Sequence, residues 1–445
     1  MLEGNLYKSI LSFAFPLILA GVLQQLYNAA DIAIVGQFAG REAVAAVGAT
    51  TTTISLLVVV STNIATGFNI LLARAMGAKD DEKIKSAVGT AFLFSIGLSL
   101  AVMVAGILLS KPLLRLTDCP ENIFKAATTY MRIYMLGVPA SMFYNFMSSV
   151  LRISGDSRRP FIYLATSGIA NVVLNVVFVL AFGLPVVGVA VATVVAQYLS
   201  AGMLFIRLVR LEDATRLDLR NIKFDLDSLG KIVRYGIPSA ISNATFSASN
   251  MMIQSAINAF GDVGISANTA SASIESFVFT ITGTFVVAVS AFVGQNLGAG
   301  NRKRVSDIMR VSYAICAAMT LVISALGIIF GKGLLSLYLP NDTAAVDFGY
   351  VRLCYIMGAM IFNALSSVTV GAMQAFGYTT VQMLSNIIGV CGFRFVWMLA
   401  FYPLDPTPEM LYVCYPVSWG LTLAFNFIFT LVILRRYKKG ADFRL

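Results

Sequence analysis

Long apolar runs separated by short polar breaks dominate the chain. A membrane-crossing helix needs about 20 mostly apolar residues. Read on that basis, the pattern predicts twelve spans, near 9–37, 43–75, 86–110, 123–153, 160–183, 186–209, 231–260, 263–296, 305–331, 346–376, 380–402 and 409–435. Several runs exceed the minimum, which points to tilt or to helical extension beyond the bilayer. The fold class expected is therefore an all-α polytopic membrane protein. The first run begins near Ile10 and continues past Gln25 without a small-residue cleavage site, so it reads as a retained span.

The longest non-apolar stretch, LEDATRLDLRNIKFDLDSLG over 211–230, falls midway. It reads as a cytoplasmic linker between an N-terminal six-helix lobe, 1–210, and a C-terminal six-helix lobe, 231–445. Motifs recur across it at offsets near 220 residues. LLARAMGAKDDEKI (71–84) parallels AFVGQNLGAGNRKRV (291–305), and YMRIYM from Tyr130 parallels YVRLCY from Tyr350. Spans one and seven each carry an early proline, Pro16 and Pro238, and close on Phe-Ala-Gly (38–40) and Ala-Phe-Gly (259–261). Because six is even, the second copy enters from the same side as the first. The expected pseudo-two-fold axis then runs along the membrane normal, the arrangement of transporters whose halves rock about a central cavity.

Composition sharpens this picture. Of 445 residues, 58% are hydrophobic and 12% charged, about half the charged fraction of soluble domains. The mean hydropathy is +0.81, so lipid must be the main solvent. A net charge of +10 could suggest nucleic acid, but the basic residues sit in short loops beside spans. Lys8, the 74–85 group, Arg152, Arg158 and Arg159, the 207–234 stretch, the 302–310 group and the tail from Arg435 all fall on one side. The remainder fall on the other side, Arg352 among them, except Arg394, which lies inside a span. This asymmetry predicts cytoplasmic termini in the cell's inner membrane. The five cysteines show no metal-ligand or CxxC spacing, and there is no histidine, the commonest general base and metal ligand. Paired aspartates, His clusters and Ser/His arrangements are absent too, so a membrane-embedded enzyme is not expected.

Ionisable residues within spans mark function by default, because each costs at least ~2.5–3.5 kcal/mol at mid-bilayer. Asp31 lies in the first span. Gln24, Asn28 and Asp31 share one helical face, with Tyr27 one turn before Asp31. Burial favours a protonated carboxyl and a nearby cation opposes it, so Asp31 could exchange H+, Na+ or a cationic substrate. A structural, hydrogen-bonded Asp near the outer rim is the alternative. Asn171 and Asn175, one turn apart in the fifth span, could ligate a hard cation or bridge helices. Thr193 in the sixth span, taken singly, reads as helix packing. Glu275 in the eighth span and Arg394 in the eleventh could pair and neutralise each other, or Glu275 could bind substrate or a proton. The seventh span is polar (Asn243, Thr245, Ser247, Ser249, Asn250) but has no carboxylate.

At these residues the chain resembles the multidrug and toxic compound extrusion (MATE) family, prokaryotic type. The stretches QQLYNAADIAIVGQFAG (24–40), AFVGQNLGAGNRKRV (291–305) and SGDSRRP (154–160) carry the likeness. The resemblance implies secondary active efflux of small organic, often cationic and aromatic compounds, in exchange for Na+ or H+ and with no cofactor. It implies a cation site at Asp31, Asn171, Asn175 and Thr193, with Na+ as the possible metal. Many relatives have N-x-x-L-D-P in the fifth span; here Asn175 and Val176 stand at its last two positions. Another branch uses a seventh-span Glu, which this chain lacks. Tyr27, Asn28, Gln24, Glu275 and Arg394 remain candidates for substrate or coupling. The expected partners are small organic substrates and the lipid bilayer, with the protein a monomer. Rival readings are a flippase for lipid-linked precursors, which should need a basic cavity, and a receptor or channel.

Overall fold

The computed structural model describes residues 1–38, 45–50, 53–54, 58, 63–117, 119–340 and 342–439, without the side chains of 28–38 and 185. All regular structure among these residues is helical. The major helices are α1 (Leu6–Phe38), α2 (Ala65–Ala78), α3 (Asp81–Leu116), α4 (Glu121–Ile153), α5 (Arg158–Val176) and α6 (Pro185–Val209). They continue as α7 (Leu226–Asn258), α8 (Gly261–Gly298), α9 (Arg302–Ile329), α10 (Thr343–Ala375), α11 (Thr379–Leu404) and α12 (Cys414–Lys438). Among the described residues nine helices are long and apolar enough to cross a membrane. Helices α4 and α7 have 33 residues each, about 50 Å at 1.5 Å per residue. They are less apolar because they carry polar side chains, some buried, such as Ser148 and Ser149 on α4 and Ser242 and Ser249 on α7. The fold is thus the all-helical, multi-span class that the apolar pattern predicts.

Local chemistry sets the helix ends. Lys79 adopts a left-handed conformation (φ 54°) after α2. Asp80 then accepts a hydrogen bond from the Lys83 amide at 3.1 Å. This cap, with Asp81 and Glu82 in the first turn, favours the positive end of the α3 dipole. It starts the helix earlier than the apolar run alone would. A short helix at Gly331–Tyr338 lies outside the predicted spans, and the twelfth predicted span opens with a separate short helix, Pro408–Tyr412. Two elements depart from α geometry. A π segment at Val177–Ala181 follows α5, and α11 contains π segments at Ile387–Gly392 and Trp397–Phe401.

The chain forms two compact units. One is Phe15–Ala240 and the other is Met1–Ala14 with Ile241–Leu445. Helices α1 and α7 each begin in one unit and end in the other. The crossovers lie beside Pro16 and Pro238, where the ring removes a helical hydrogen bond.

In the first unit, α2 meets the start of α7 backbone to backbone. A Cβ on Gly67 would lie 2.0 Å from the Ile232 carbonyl oxygen, and one on Gly236 would lie 2.5 Å from that of Ile64. The 211–230 segment docks on α3. The Asp225 amide donates to Thr90 Oγ1 at 2.9 Å, Ser86 and Ser228 hydroxyls meet at 3.3 Å, and a Cβ on Gly89 would lie 2.5 Å from the Lys223 carbonyl oxygen. In the second unit, Phe13 packs edge-on against Phe292 at 5.6 Å. The Gly4 carbonyl accepts from Arg304 Nη2 at 3.1 Å. A core of Ile253, Val278, Leu353, Met360, Tyr412 and Trp419 joins α7, α8, α10, the Pro408–Tyr412 helix and α12.

Candidate functional site

Each unit holds a buried polar cluster, and their chemistry differs. In the Phe15–Ala240 unit, Asn175 Nδ2 donates to Asn171 Oδ1 at 3.3 Å, and Asn171 Nδ2 lies 3.4 Å from Thr193 Oγ1. Thr193 donates to the Val189 carbonyl one turn back on α6 at 2.9 Å. Asn171 and Asn175 are buried and Thr193 is half-buried. Spacing explains the grouping: Gly168, Asn171 and Asn175 lie three and four apart on one face of α5.

Helix α1 reaches this same face. Tyr27 Oη donates to the Ala165 carbonyl at 3.0 Å. Its ring lies so close to α5 that a Cβ on Gly168 would fall 1.8 Å from it. Gln24 is exposed. The side chains of Asn28 and Asp31 lie outside the described residues. The structure thus brings Tyr27, Asn171, Asn175 and Thr193 to one helix face and its neighbour. Their donors are amide and hydroxyl oxygens, a set suited to a hard cation. Among the described residues no cluster of three or more His, Cys, Asp and Glu could hold a metal.

The Met1–Ala14 and Ile241–Leu445 unit holds charges. Glu275 does not pair with Arg394. Its carboxylate accepts two hydrogen bonds from Arg352, from Nε at 2.9 Å and from Nη2 at 2.7 Å. Both residues are buried, 1% and 7% exposed. Such a planar, bidentate pairing is the strong form of an ion pair. Arg352 Nη1 also donates to Asn268 Oδ1 at 2.6 Å, Asn268 Nδ2 to Gln254 Oε1 at 2.8 Å, and Gln254 Nε2 to Asn258 Oδ1 at 3.0 Å. The guanidinium carbon lies 5.6 Å from the ring centres of both Tyr412 and Tyr415.

Charge counting assigns Arg352 to the outer loops, because it stands close to the start of its run, 346–376. Burial against α8 reassigns it. The legible signal was Glu275 itself, since a mid-span acid must either pair with another group or face water.

Arg394 lies elsewhere in that unit, on the single α turn Phe393–Val396 between the two π segments of α11. It is fully buried. Its Nε donates to Ser418 Oγ at 3.2 Å, and its Nη1 donates to Ser249 Oγ at 3.0 Å and Asn250 Oδ1 at 2.8 Å. The guanidinium carbon lies 4.2 Å from the Tyr415 ring centre and 5.7 Å from that of Phe246.

Comparison with known proteins places these features. The MatE family model matches the chain twice, over residues 16–177 and 238–398. The chain belongs to the MatE family. The two matches begin at Pro16 and Pro238, in register with the repeat read from the motifs. The chain is 30% identical over 347 residues to "Probable multidrug resistance protein YoeA" of Bacillus subtilis (strain 168), covering 76% of this chain and 75% of that one. It is 27% identical over 399 residues to "Probable multidrug resistance protein YpnP" of the same organism, covering 90% and 89%. Among solved structures, a mutant of the Vibrio cholerae MATE transporter VcmN superposes with a TM-score of 0.89 at 18% identity, covering 97% of each chain. At that identity the match establishes the MatE fold.

Proposed function

We propose that this MatE protein exports small organic compounds across the plasma membrane in exchange for H+ or Na+, by alternating access. Membership of the family makes the chain a multi-pass membrane transporter and not an enzyme. Relatives named as multidrug resistance proteins support an organic, varied substrate range. The positive-inside pattern supports cytoplasmic termini, and the protein acts as a monomer.

One observation carries the ion-coupling reading. The amides of Asn171 and Asn175 and the hydroxyl of Thr193 gather on the helix face against which Tyr27 docks. Asp31 follows Tyr27 by one turn of α1, as Asn171 follows Gly168 by one turn of α5. Spans one and five cross in the same direction, so this register favours a four-residue oxygen site of Asp31, Asn171, Asn175 and Thr193. The coupling ion enters as cargo. Protonation or Na+ binding at Asp31 would shift the equilibrium between outward- and inward-open states by its differential affinity for the two. One charge moving through 100 mV gains about 2.3 kcal/mol, enough for about 50-fold accumulation of substrate per ion. Asn175 contributes a neutral amide where many relatives carry a second acid, so a single carboxylate does the coupling.

Dye efflux from proteoliposomes, with Na+ and H+ gradients imposed separately, tests this. Wild type should respond to one gradient, and Asp31→Asn should abolish the response while remaining folded. Efflux indifferent to both gradients, or an Asp31→Asn variant that still couples, overturns the antiport mechanism.

A further inference from the structure

The Glu275 carboxylate is occupied by two hydrogen bonds from Arg352. Arg394, in the same unit, has among the described residues only neutral oxygen partners: Ser418, Ser249 and Asn250. Its Nη2 is buried and without a hydrogen-bond partner. A fully desolvated guanidinium with an unused donor and, among the described residues, no carboxylate bonded to it is an uncommon arrangement, since buried charges are normally paired. The side chain is not loosely held. The Tyr415 ring lies against it at 4.2 Å, and two of its three nitrogens are fixed by hydrogen bonds. The planar fork therefore stays aimed.

The backbone is also unusual at this point. Arg394 occupies a single α turn flanked by π segments at Ile387–Gly392 and Trp397–Phe401. Such interruptions concentrate at functional sites.

The polar surface nearest to the group is on α7. Asn243, Ser247, Asn250, Gln254 and Asn258 stand three or four residues apart and form one polar face. Asn243, Ser247 and Asn258 are exposed, and Asn250 and Gln254 are half-buried. Lipid does not solvate such a row, so this face meets water. Asn250, the partner of Arg394, sits in the middle of it, and Phe246 lies one turn away with its ring toward Arg394.

We propose that Arg394 binds a monovalent anion, either the carboxylate of an aromatic exported compound or a chloride. The anion accepts from Nη2, and the Phe246 ring offers an aromatic substrate a face to pack on. The binding itself does not depend on the export reading; only its transport arm does. If the ligand is a carboxylate, the transporter handles aromatic acids and zwitterions as well as cations.

The test uses the full-length protein purified in detergent, with the thermal unfolding midpoint read in 2-naphthoate, its neutral amide 2-naphthamide, and chloride. Naphthoate should raise the midpoint and naphthamide should not. Arg394→Gln should abolish the shift. Asn250→Asp, which supplies an internal carboxylate to Arg394, should abolish it too while keeping the fold. In proteoliposomes the ratio of fluorescein efflux to ethidium efflux should fall at least tenfold in either variant. Chloride that raises the midpoint alone and leaves naphthoate without further effect would support the anion site and identify its occupant as chloride. Equal shifts from naphthoate and naphthamide, or an undiminished naphthoate shift in Asn250→Asp, overturns the proposal. If Arg394→Gln fails to fold, Asn250→Asp decides. If wild type exports neither dye, the export reading falls and the binding comparison still decides this one.

Discussion

The two units carry an arginine at corresponding places, Arg132 in YMRIYM and Arg352 in YVRLCY. Their fates differ. Arg132 is exposed, and its Nε donates to Ser110 Oγ at 3.1 Å. Arg352 is buried, with its Nε and Nη2 on Glu275. One repeat kept the side chain at the rim, while in the other a mid-span acid drew it inward. The polar interiors follow suit. The Phe15–Ala240 unit gathers neutral amides and a hydroxyl around α5, whereas its counterpart holds a carboxylate already satisfied by an arginine. Both oxygens of that carboxylate are already engaged by Arg352. The contrast is why the proposed coupling site is placed at the neutral-donor cluster rather than at Glu275.

The sharpest way to break this comparison is to separate the locked pair. Glu275→Gln or Arg352→Met leaves a buried partner uncompensated, and each should lower stability by about 3–5 kcal/mol. The double variant should lose less than the sum of the two. Denaturant titration in detergent reads this, and additive losses would show that the two groups do not interact. Next comes the contact that fixes α1 on α5. Gly168→Ala forces the Tyr27 ring aside and should cost about 1–3 kcal/mol. It should also weaken ion coupling, measured as the gradient dependence of efflux; a neutral effect would mean that α1 docks elsewhere. Thr193→Val removes the acceptor facing Asn171 and should cost about 1 kcal/mol of stability, with a larger loss in coupling-ion affinity by titration.

The smallest expected effect is at the docked 211–230 segment. Hydrogen bonds from the Ser228 hydroxyl and amide hold the Asp225 carboxyl below its ordinary value. Its contribution is full above the unfolded-state pKa of about 3.9 and is lost as pH falls through the lowered folded value. Proteolytic nicking of 211–230 should increase only in that acid range, and Asp225→Asn should nick equally at all pH values.

Hydropathy made the helical class legible because lipid permits few alternatives to a helix. The repeat was legible from Pro16, Pro238 and the Tyr-x-Arg motifs, and the family model begins its two matches at those prolines. Helical spacing also put Asn171 and Asn175 on one face, as the structure shows. The partner of Glu275 was not legible. Which arginine meets it depends on how α8 and α10 pack, and Arg352 stands nearer a span end than Arg394. The π segments were equally hidden, since an extra residue per turn leaves no mark in an apolar run. The tight docking of 211–230 rests on Gly89, whose lack of a side chain has a meaning only once Lys223 is seen against it.

The crossing of α1 and α7 between units has a genetic consequence. A chain severed within 211–230 would not yield two self-sufficient products. Each fragment would carry the opening helical turns that complete the other's core, so the fragments would be obligate complements. Co-expression should restore what neither delivers singly, and a tandem duplication of either half would begin life lacking the piece it lends away.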